Sequence, residues 1–142
     1  NIDNPERATP IYSFIHGIVI MVGMMENYGR TILIKDSNKD VLYLLAHLSK
    51  QLVRKGDMVC PGMVVGKVGG SKYANGKIEE TGYPPHLHLS VLECNLKNPN
   101  DIIQKDGGAY KWFPKNMYDD ADRVKYINPF DHKEYGHIKI YL

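Results

Sequence analysis

Short apolar runs separated by glycine- and proline-containing turns constrain the fold of this chain more than any other sequence feature. The runs are rich in β-branched residues, which favour strands. No long segment shows the 3.6-residue periodicity of an amphipathic helix. The spacing predicts an all-β sandwich or barrel with long loops and at most short helices. The predicted strands cover residues 11–14, 17–22, 31–34, 41–47, 63–68 and 86–92, and an edge strand is expected near 138–142.

Composition narrows the class of protein further. The chain has 142 residues, 43% apolar and 24% charged, which suits one soluble domain spanning residues 1–142 and excludes bulk disorder. The longest apolar stretch, around residues 18–25, is broken by Gly23 and followed by Glu26, so a transmembrane helix is excluded. The net charge is +2 and the basic residues are scattered, which argues against a nucleic-acid partner.

A pair of histidines lies in the last strong strand candidate. Strand alternation places two imidazoles on one face with backbones about 6.6 Å apart. One ring could then bind a metal while the other addresses a water on that metal, although an arbitrary H-x-H is more often a solvated pair. The alternation puts His86, His88 and Ser90 on one face, and Leu87, Leu89 and Val91 on the other.

The remaining histidines differ in context. His47 ends an apolar run, where burial without a partner would cost free energy, so it either caps the strand at the surface or has a specific role. On its own, a surface position is favoured. His16, His132 and His137 lie in a turn or in the polar tail and are expected to be exposed.

The two cysteines allow two interpretations. Cys60 and Cys94 could form a disulfide or remain as thiols, and the usual preference of cysteine for the interior favours buried thiols. Between His47 and His86, glycines at 56, 62, 66 and 69 with apolar residues between them predict tight turns around a short buried strand.

In their order and spacing, these motifs resemble those of lysostaphin-type (LytM-like) zinc metallopeptidases, the family that cuts peptide bonds in peptidoglycan. The resemblance runs from Asp3 to about Phe130 and implies the family's all-β fold, an antiparallel sheet of barrel-sandwich type. Two segments differ by added length, residues 70–81 and 95–125, which are expected to be loop insertions. The motifs are Thr9-Pro10-Ile11-Tyr12, Gly17-Ile18-Val19, Tyr28-Gly29, Ala46-His47-Leu48-Ser49, the glycine turns of 56–69, His86-Leu87-His88 and Ile127-Asn128-Pro129-Phe130.

The resemblance implies a zinc site. Ile2-Asp3 resembles the end of the family's H-x-x-x-D motif, which makes Asp3 and His88 zinc ligands. The histidine of that motif would fall two positions before Asn1, so we expect the chain to be part of a longer one. Ser90 stands where the family often has Glu.

The resemblance also implies a mechanism. His86 would accept the proton of a zinc-activated water and pass it to the leaving amine, and His47 would hold His86 or donate to the oxyanion. The chain is then a zinc metalloendopeptidase acting on peptidoglycan peptides, outside the cytoplasm or in a phage virion. The segment of residues 70–81 is expected to form a wall of the substrate groove, where Tyr73 and Tyr83 could stack on peptide or sugar. The alternative is a solvated surface insertion.

Two other functions remain open from the sequence. A LytM-like domain without zinc could bind cell wall or regulate another hydrolase. The glycine turn pattern also resembles that of biotinyl, lipoyl and sugar-phosphotransfer hybrid barrels, but no Met-Lys-Met tripeptide is present. A phospho-carrier would need His86 or His88 as its phosphate acceptor.

Overall fold

Thirteen strands make up the described part of the chain. The computed structural model describes residues 9–80 and 86–94, together with four further strands between 103 and 140. The strands are β1 (Pro10–Tyr12), β2 (Gly17–Met25), β3 (Gly29–Asp36), β4 (Val41–Gln51), β5 (Met58–Val59), β6 (Val64–Val68), β7 (Lys72–Ala74), β8 (Lys77–Glu79), β9 (Leu87–Cys94), β10 (Ile103–Asp106), β11 (Ala109–Trp112), β12 (Val124–Ile127) and β13 (Ile138–Ile140).

The all-β prediction is confirmed. Helices are absent from the described residues, and every strand pairing is antiparallel except that of β2 with β11. The six strands predicted from apolar runs correspond to β1, β2, β3, β4, β6 and β9, and the predicted edge strand is β13. Likewise, within these ranges no helix is long and apolar enough to cross a membrane.

One large sheet contains eleven of the strands, and β4 is its branch point. The continuous order is β1-β6-β4-β3-β2-β11-β10, with β9 attached to β4 and β5 to β2. The first half of β4, Val41 to Ala46, pairs with β9, whereas Leu48 to Gln51 pairs with β6. His47 lies at the residue where β4 changes partner.

The hydrophobic core lies against one face of this sheet. Strand β9 contributes Leu87, Leu89 and Val91, in agreement with the predicted alternation. Because successive side chains of a strand point to opposite faces, His86, His88 and Ser90 lie on the other face. The remaining core residues include Val19, Ile32, Ile34, Leu45, Leu48, Val65 and Val68.

The two segments predicted as loop insertions contain hairpins. In the first, β7 and β8 pair as a separate two-stranded sheet around Asn75 and Gly76, whose φ angles of 54° and 75° fit a type I′ turn. In the second, β10 pairs with β11. The Asn-Gly turn is a strong hairpin signal that the sequence analysis did not use.

The cysteine prediction is wrong for Cys60. This residue is an exposed free cysteine in the turn that follows β5, so the general preference of cysteine for the interior does not apply to it. The side chain of Cys94 lies outside the described residues.

Candidate functional site

Three histidines, one in β4 and two at the start of β9 or directly before it, form one buried cluster. The ring centroid of His47 lies 5.2 Å from that of His86 and 5.3 Å from that of His88. All three side chains are buried, His86 to 1% exposure. The surface position favoured for His47 in isolation is therefore wrong, and so is a solvated H-x-H pair. His16 is exposed as predicted, and His132 and His137 lie outside the described residues.

The backbone at His47 explains how this side chain reaches the cluster. Ala46 and His47 together face a single residue of β3, since the pairing passes from Ile32↔Leu45 to Arg30↔Leu48. His47 also has a φ of 58°, a left-handed conformation that few non-glycine residues adopt. Such β-bulges redirect side chains and are frequent next to active sites. The bulge therefore turns His47 away from the regular alternation of β4.

Two main-chain carbonyls hold His47 in place. Its backbone N–H donates to the carbonyl oxygen of Tyr28 at 2.8 Å. Its ring nitrogen Nδ1 lies 2.7 Å from the carbonyl oxygen of Ser71. Ser71 could not be predicted as a partner of His47 from the sequence, because it is 24 residues away along the chain.

Tyr28 borders the cluster as a partly buried aromatic ring. Its centroid lies 5.1 Å from that of His88 and 6.3 Å from that of His47, with the His47 ring nearly parallel at 22°. In the sequence, Tyr28 is recognisable only as part of the Tyr28-Gly29 turn motif. The turn between β2 and β3 places this ring against two histidines of other strands.

His88 is oriented by its neighbour on the same face of β9. Its Nε2 lies 3.3 Å from the hydroxyl oxygen of Ser90, and Ser90 is also buried. Histidines that bind a metal usually engage their other ring nitrogen in such a contact, which fixes the ring orientation. The arrangement assigns Nδ1 as the nitrogen with which His88 could bind a metal.

The zinc ligands that the family resemblance implies lie only partly within the described residues. Among them, no group of three or more His, Cys, Asp and Glu residues is placed to hold a metal ion. Asp3, the other ligand implied by the family resemblance, lies outside the described ranges. The rings of His47, His86 and His88 are therefore not arranged to bind one metal ion by themselves.

An ion pair ties the β7–β8 hairpin segment to β3 beside the cluster. Arg30 meets Glu80 through two contacts, with Nη1 2.9 Å from Oε2 and Nη2 2.6 Å from Oε1. This two-point geometry is the favourable one for an arginine and a carboxylate. On the other side, the N–H of Asn27 donates to the carbonyl of Tyr73 at 2.8 Å.

The strand order and the histidine cluster define the chain as an all-β, LytM-like protein. The match to the peptidase family M23 covers residues 2–101, and the chain belongs to this family. This match confirms the resemblance to the peptidoglycan endopeptidases of the LytM type that the sequence motifs suggested.

Two curated relatives are similar over the central part of the chain. An L-Ala--D-Glu endopeptidase of Bacillus subtilis is 37% identical over 89 residues, covering 61% of this chain and 26% of the relative. The peptidoglycan DD-endopeptidase ShyC of Vibrio cholerae is 30% identical over 96 residues, which cover 67% of this chain and 20% of the relative. The match thus spans about a quarter or less of the length of each relative.

A solved structure has a similar fold. The catalytic domain of the prophage-encoded M23 protein EnpA from Enterococcus faecalis, crystallised as its A109H mutant, superposes with a TM-score of 0.50 at 26% identity. The similarity covers 66% of this chain and 63% of the other. It supports the all-β fold assignment.

Proposed function

We propose that this protein is a zinc-dependent endopeptidase that hydrolyses peptide bonds in bacterial cell-wall peptidoglycan. The observation that carries the proposal is the buried cluster of His47, His86 and His88 on the face of the sheet opposite the core. Membership of family M23 and two relatives named as endopeptidases support it. In this proposal residues 1–142 act as one catalytic domain.

The donor set fits zinc when Asp3 is included. Imidazole nitrogen and carboxylate oxygen are common zinc ligands, and a catalytic site uses three protein ligands. Asp3 and His88 would be two of them, His88 through Nδ1 because Nε2 contacts Ser90. The third would be the histidine expected two positions before Asn1. When bound, zinc would lower the pKa of a coordinated water to about 7 and polarise the scissile carbonyl.

In this proposal His86 and His47 transfer protons and stabilise charge, and His88 is the histidine of the cluster that binds the metal. The His47 ring centroid lies 5.3 Å from that of His88 and 5.2 Å from that of His86, so a water and a substrate carbonyl next to His88 would react beside these rings. His86 would take the proton from the water and give it to the leaving amine, and His47 would hold His86 or stabilise the oxyanion.

The substrate determines where the protein acts. Peptidoglycan lies outside the cytoplasmic membrane, so the enzyme would be secreted, periplasmic, attached to the envelope or carried on a phage virion. The two relatives are named for different bonds. The bond cut by this protein is therefore best identified from its products.

The β7–β8 hairpin would form one wall of the substrate groove. The Arg30–Glu80 ion pair and the Asn27–Tyr73 hydrogen bond fix the segment beside β3, next to the histidines. Replacing residues 73–78 by a two-residue turn keeps Ser71 and Glu80. We expect this variant to fold and to lose about tenfold in hydrolysis rate, or about 1.4 kcal/mol. Full activity on every wall type would contradict a role in the groove.

The decisive experiment uses the protein with its natural preceding residues. Purified peptidoglycan is incubated with the wild type and with His88→Ala, and the released fragments are identified by mass spectrometry. We expect cleavage at one type of peptide bond, about one zinc per wild-type chain, and neither in His88→Ala, because two remaining ligands rarely retain the metal. Binding to peptidoglycan without cleavage in the zinc-loaded wild type would instead indicate a non-catalytic cell-wall-binding domain.

A further inference from the structure

A second segment of the chain fixes the protonation pattern of His47. Ring nitrogen Nδ1 faces the main-chain carbonyl of Ser71 at 2.7 Å, and both residues are buried. A carbonyl oxygen can only accept a hydrogen bond, so Nδ1 must carry the hydrogen. In a neutral imidazole the other nitrogen then carries the lone pair.

The Ser71 carbonyl is itself held rigidly. The Ser71 hydroxyl accepts the backbone N–H of Arg30 at 3.1 Å and donates to the carbonyl of Leu48 at 2.6 Å. These bonds join Ser71 to the paired residues Arg30 of β3 and Leu48 of β4, at one end of the bulge. The side chain is fully buried, so solvent does not compete for them.

Gly29 provides the space in which this carbonyl lies. A Cβ atom built on Gly29 would lie 2.4 Å from the Ser71 carbonyl oxygen and 2.5 Å from its carbon. Real Cβ atoms do not approach backbone this closely, so any side chain at position 29 would displace the carbonyl. Gly29 also has a φ of 69°, which glycine adopts without a steric penalty.

We propose that Ser71 and Gly29 are positioning residues for His47. The Ser71 carbonyl accepts the Nδ1–H of His47 and thereby places the lone pair of the neutral ring on Nε2. Gly29 leaves room for that carbonyl. The catalytic consequence rests on the proposed function. A neutral His47 can accept a proton at Nε2, whereas donation from Nε2 to an oxyanion requires the charged ring.

The tautomer can be read directly by NMR. Long-range ¹H–¹⁵N spectra of protein with ¹⁵N-labelled histidine, recorded with zinc at about pH 8.5, distinguish a protonated ring nitrogen from one with a lone pair; an unperturbed imidazole is neutral there. The His47 signals are assigned by their loss in His47→Gln. We expect the hydrogen on Nδ1. A hydrogen on Nε2 alone would overturn the proposal, and this reading requires no hydrolytic activity.

Variants then test the positioning residues. Gly29→Ala places a methyl group against the Ser71 carbonyl, whereas Gly62→Ala is a matched control with a φ of 89° and nothing within 4 Å of its Cβ. We expect Gly29→Ala to change the His47 tautomer signature and to lower kcat on the order of 10²-fold, with KM and zinc content unchanged. Gly62→Ala should retain the wild-type values. Identical His47 spectra for the two variants would overturn the role of Gly29.

A second variant covers the case in which Gly29→Ala does not fold. Ser71→Ala keeps the carbonyl but removes the hydroxyl that fixes it to Arg30 and Leu48. We expect a mixture of His47 tautomers and a reduced kcat. A wild-type His47 spectrum in folded Ser71→Ala would contradict the part assigned to Ser71. If wild type and variants are all inactive but the spectra behave as expected, the proposed function fails and the positioning inference stands.

Discussion

His47 occupies an unfavourable backbone conformation for its residue type. A non-glycine residue with a left-handed φ costs about 1–2 kcal/mol. Two hydrogen bonds, from its N–H to Tyr28 and between its ring and Ser71, help to offset this cost. Strained residues of this kind cluster at functional sites, because the surrounding contacts maintain a geometry that the chain alone would avoid.

Substitution of the two proposed proton-transfer histidines should separate chemistry from metal binding. We expect His86→Ala and His47→Ala each to lower peptidoglycan hydrolysis on the order of 10²-fold or more, because a general base or oxyanion donor is lost. Zinc content should stay at the wild-type level. The measurement is the release of amino groups from purified cell wall, with metal analysis of each variant. His16→Ala, at an exposed position, is the control. Wild-type rates in both variants would disprove the assignment.

Tyr43 should make the folded protein sensitive to alkaline pH. Burial raises the pKa of the Tyr43 phenol, and the negative charge of Asp36 and the hydrogen bond to it act in the same direction. The folded state therefore holds this proton more tightly than the unfolded chain, whose tyrosine pKa is about 10. Its stabilising contribution is complete below that pH and is lost as the pH rises above it.

The comparison with Tyr43→Phe tests this titration. Urea unfolding between about pH 9 and 11 should show a steeper fall in the free energy of unfolding for the wild type than for Tyr43→Phe. Asp36→Asn removes one cause of the raised pKa and should give an intermediate slope. Equal slopes for the wild type and Tyr43→Phe would contradict the prediction.

At the scale of elements, the alternation of β9 places core residues on one face of the strand and residues of the proposed active site on the other. Leu89 points into the core, whereas Ser90 lies on the histidine face and contacts His88. Neighbouring residues of one strand therefore serve different purposes. The bulge in β4 brings His47 to the same face, next to His86 and His88.

Substitutions at these two adjacent positions should affect different properties, the free energy of unfolding at Leu89 and the zinc affinity at Ser90. Leu89→Ala should lower the free energy of unfolding by about 2–5 kcal/mol, because it leaves a cavity in the core, without changing the zinc affinity of the folded protein. Ser90→Ala should change stability little and weaken zinc binding about 10- to 100-fold. Urea unfolding and competition with a chelating dye measure the two quantities. The same loss of zinc affinity in both variants would show that the two faces are not independent.

At the scale of the whole molecule, residues far apart in sequence converge on the site. The site combines Tyr28 from the β2–β3 turn, His47 from β4, Ser71 from the segment before β7, His86 from directly before β9 and His88 from the start of β9. Zinc bound to Asp3 and His88 would add a connection between the N-terminal segment and the central sheet. A ligand that binds the folded state alone stabilises it.

Metal removal should therefore lower the melting temperature. At a free zinc concentration of about 100 times Kd, binding contributes about 2.7 kcal/mol, which corresponds to several degrees for a domain of this size. Calorimetry of the protein with its natural preceding residues, with zinc and with a chelator, measures the shift. His88→Ala should melt at one temperature under both conditions. A wild-type shift in His88→Ala would place the zinc site elsewhere.

The sequence by itself determined the six strands formed by apolar runs, the edge strand near the end of the chain and the two-faced character of β9. Turn residues and the two-residue alternation are local properties, so the apolar runs could be assigned without knowing their partners. The resemblance to the family followed from the order of the same motifs and could be recognised without the structure. The Asn75-Gly76 hairpin was equally predictable, since its signal is contained in two residues.

Only the tertiary structure decided which polar residues are buried together. The burial of His47 depends on a bulge, a left-handed φ and a change of pairing partner, and none of these follows from its apolar neighbours. The contact with Ser71 joins residues 24 apart, and the hydroxyl of Ser71 reaches Arg30, 41 residues away. Such contacts depend on strand order and register, which the packing of the whole core sets, so no local pattern could reveal that a serine carbonyl fixes the histidine ring.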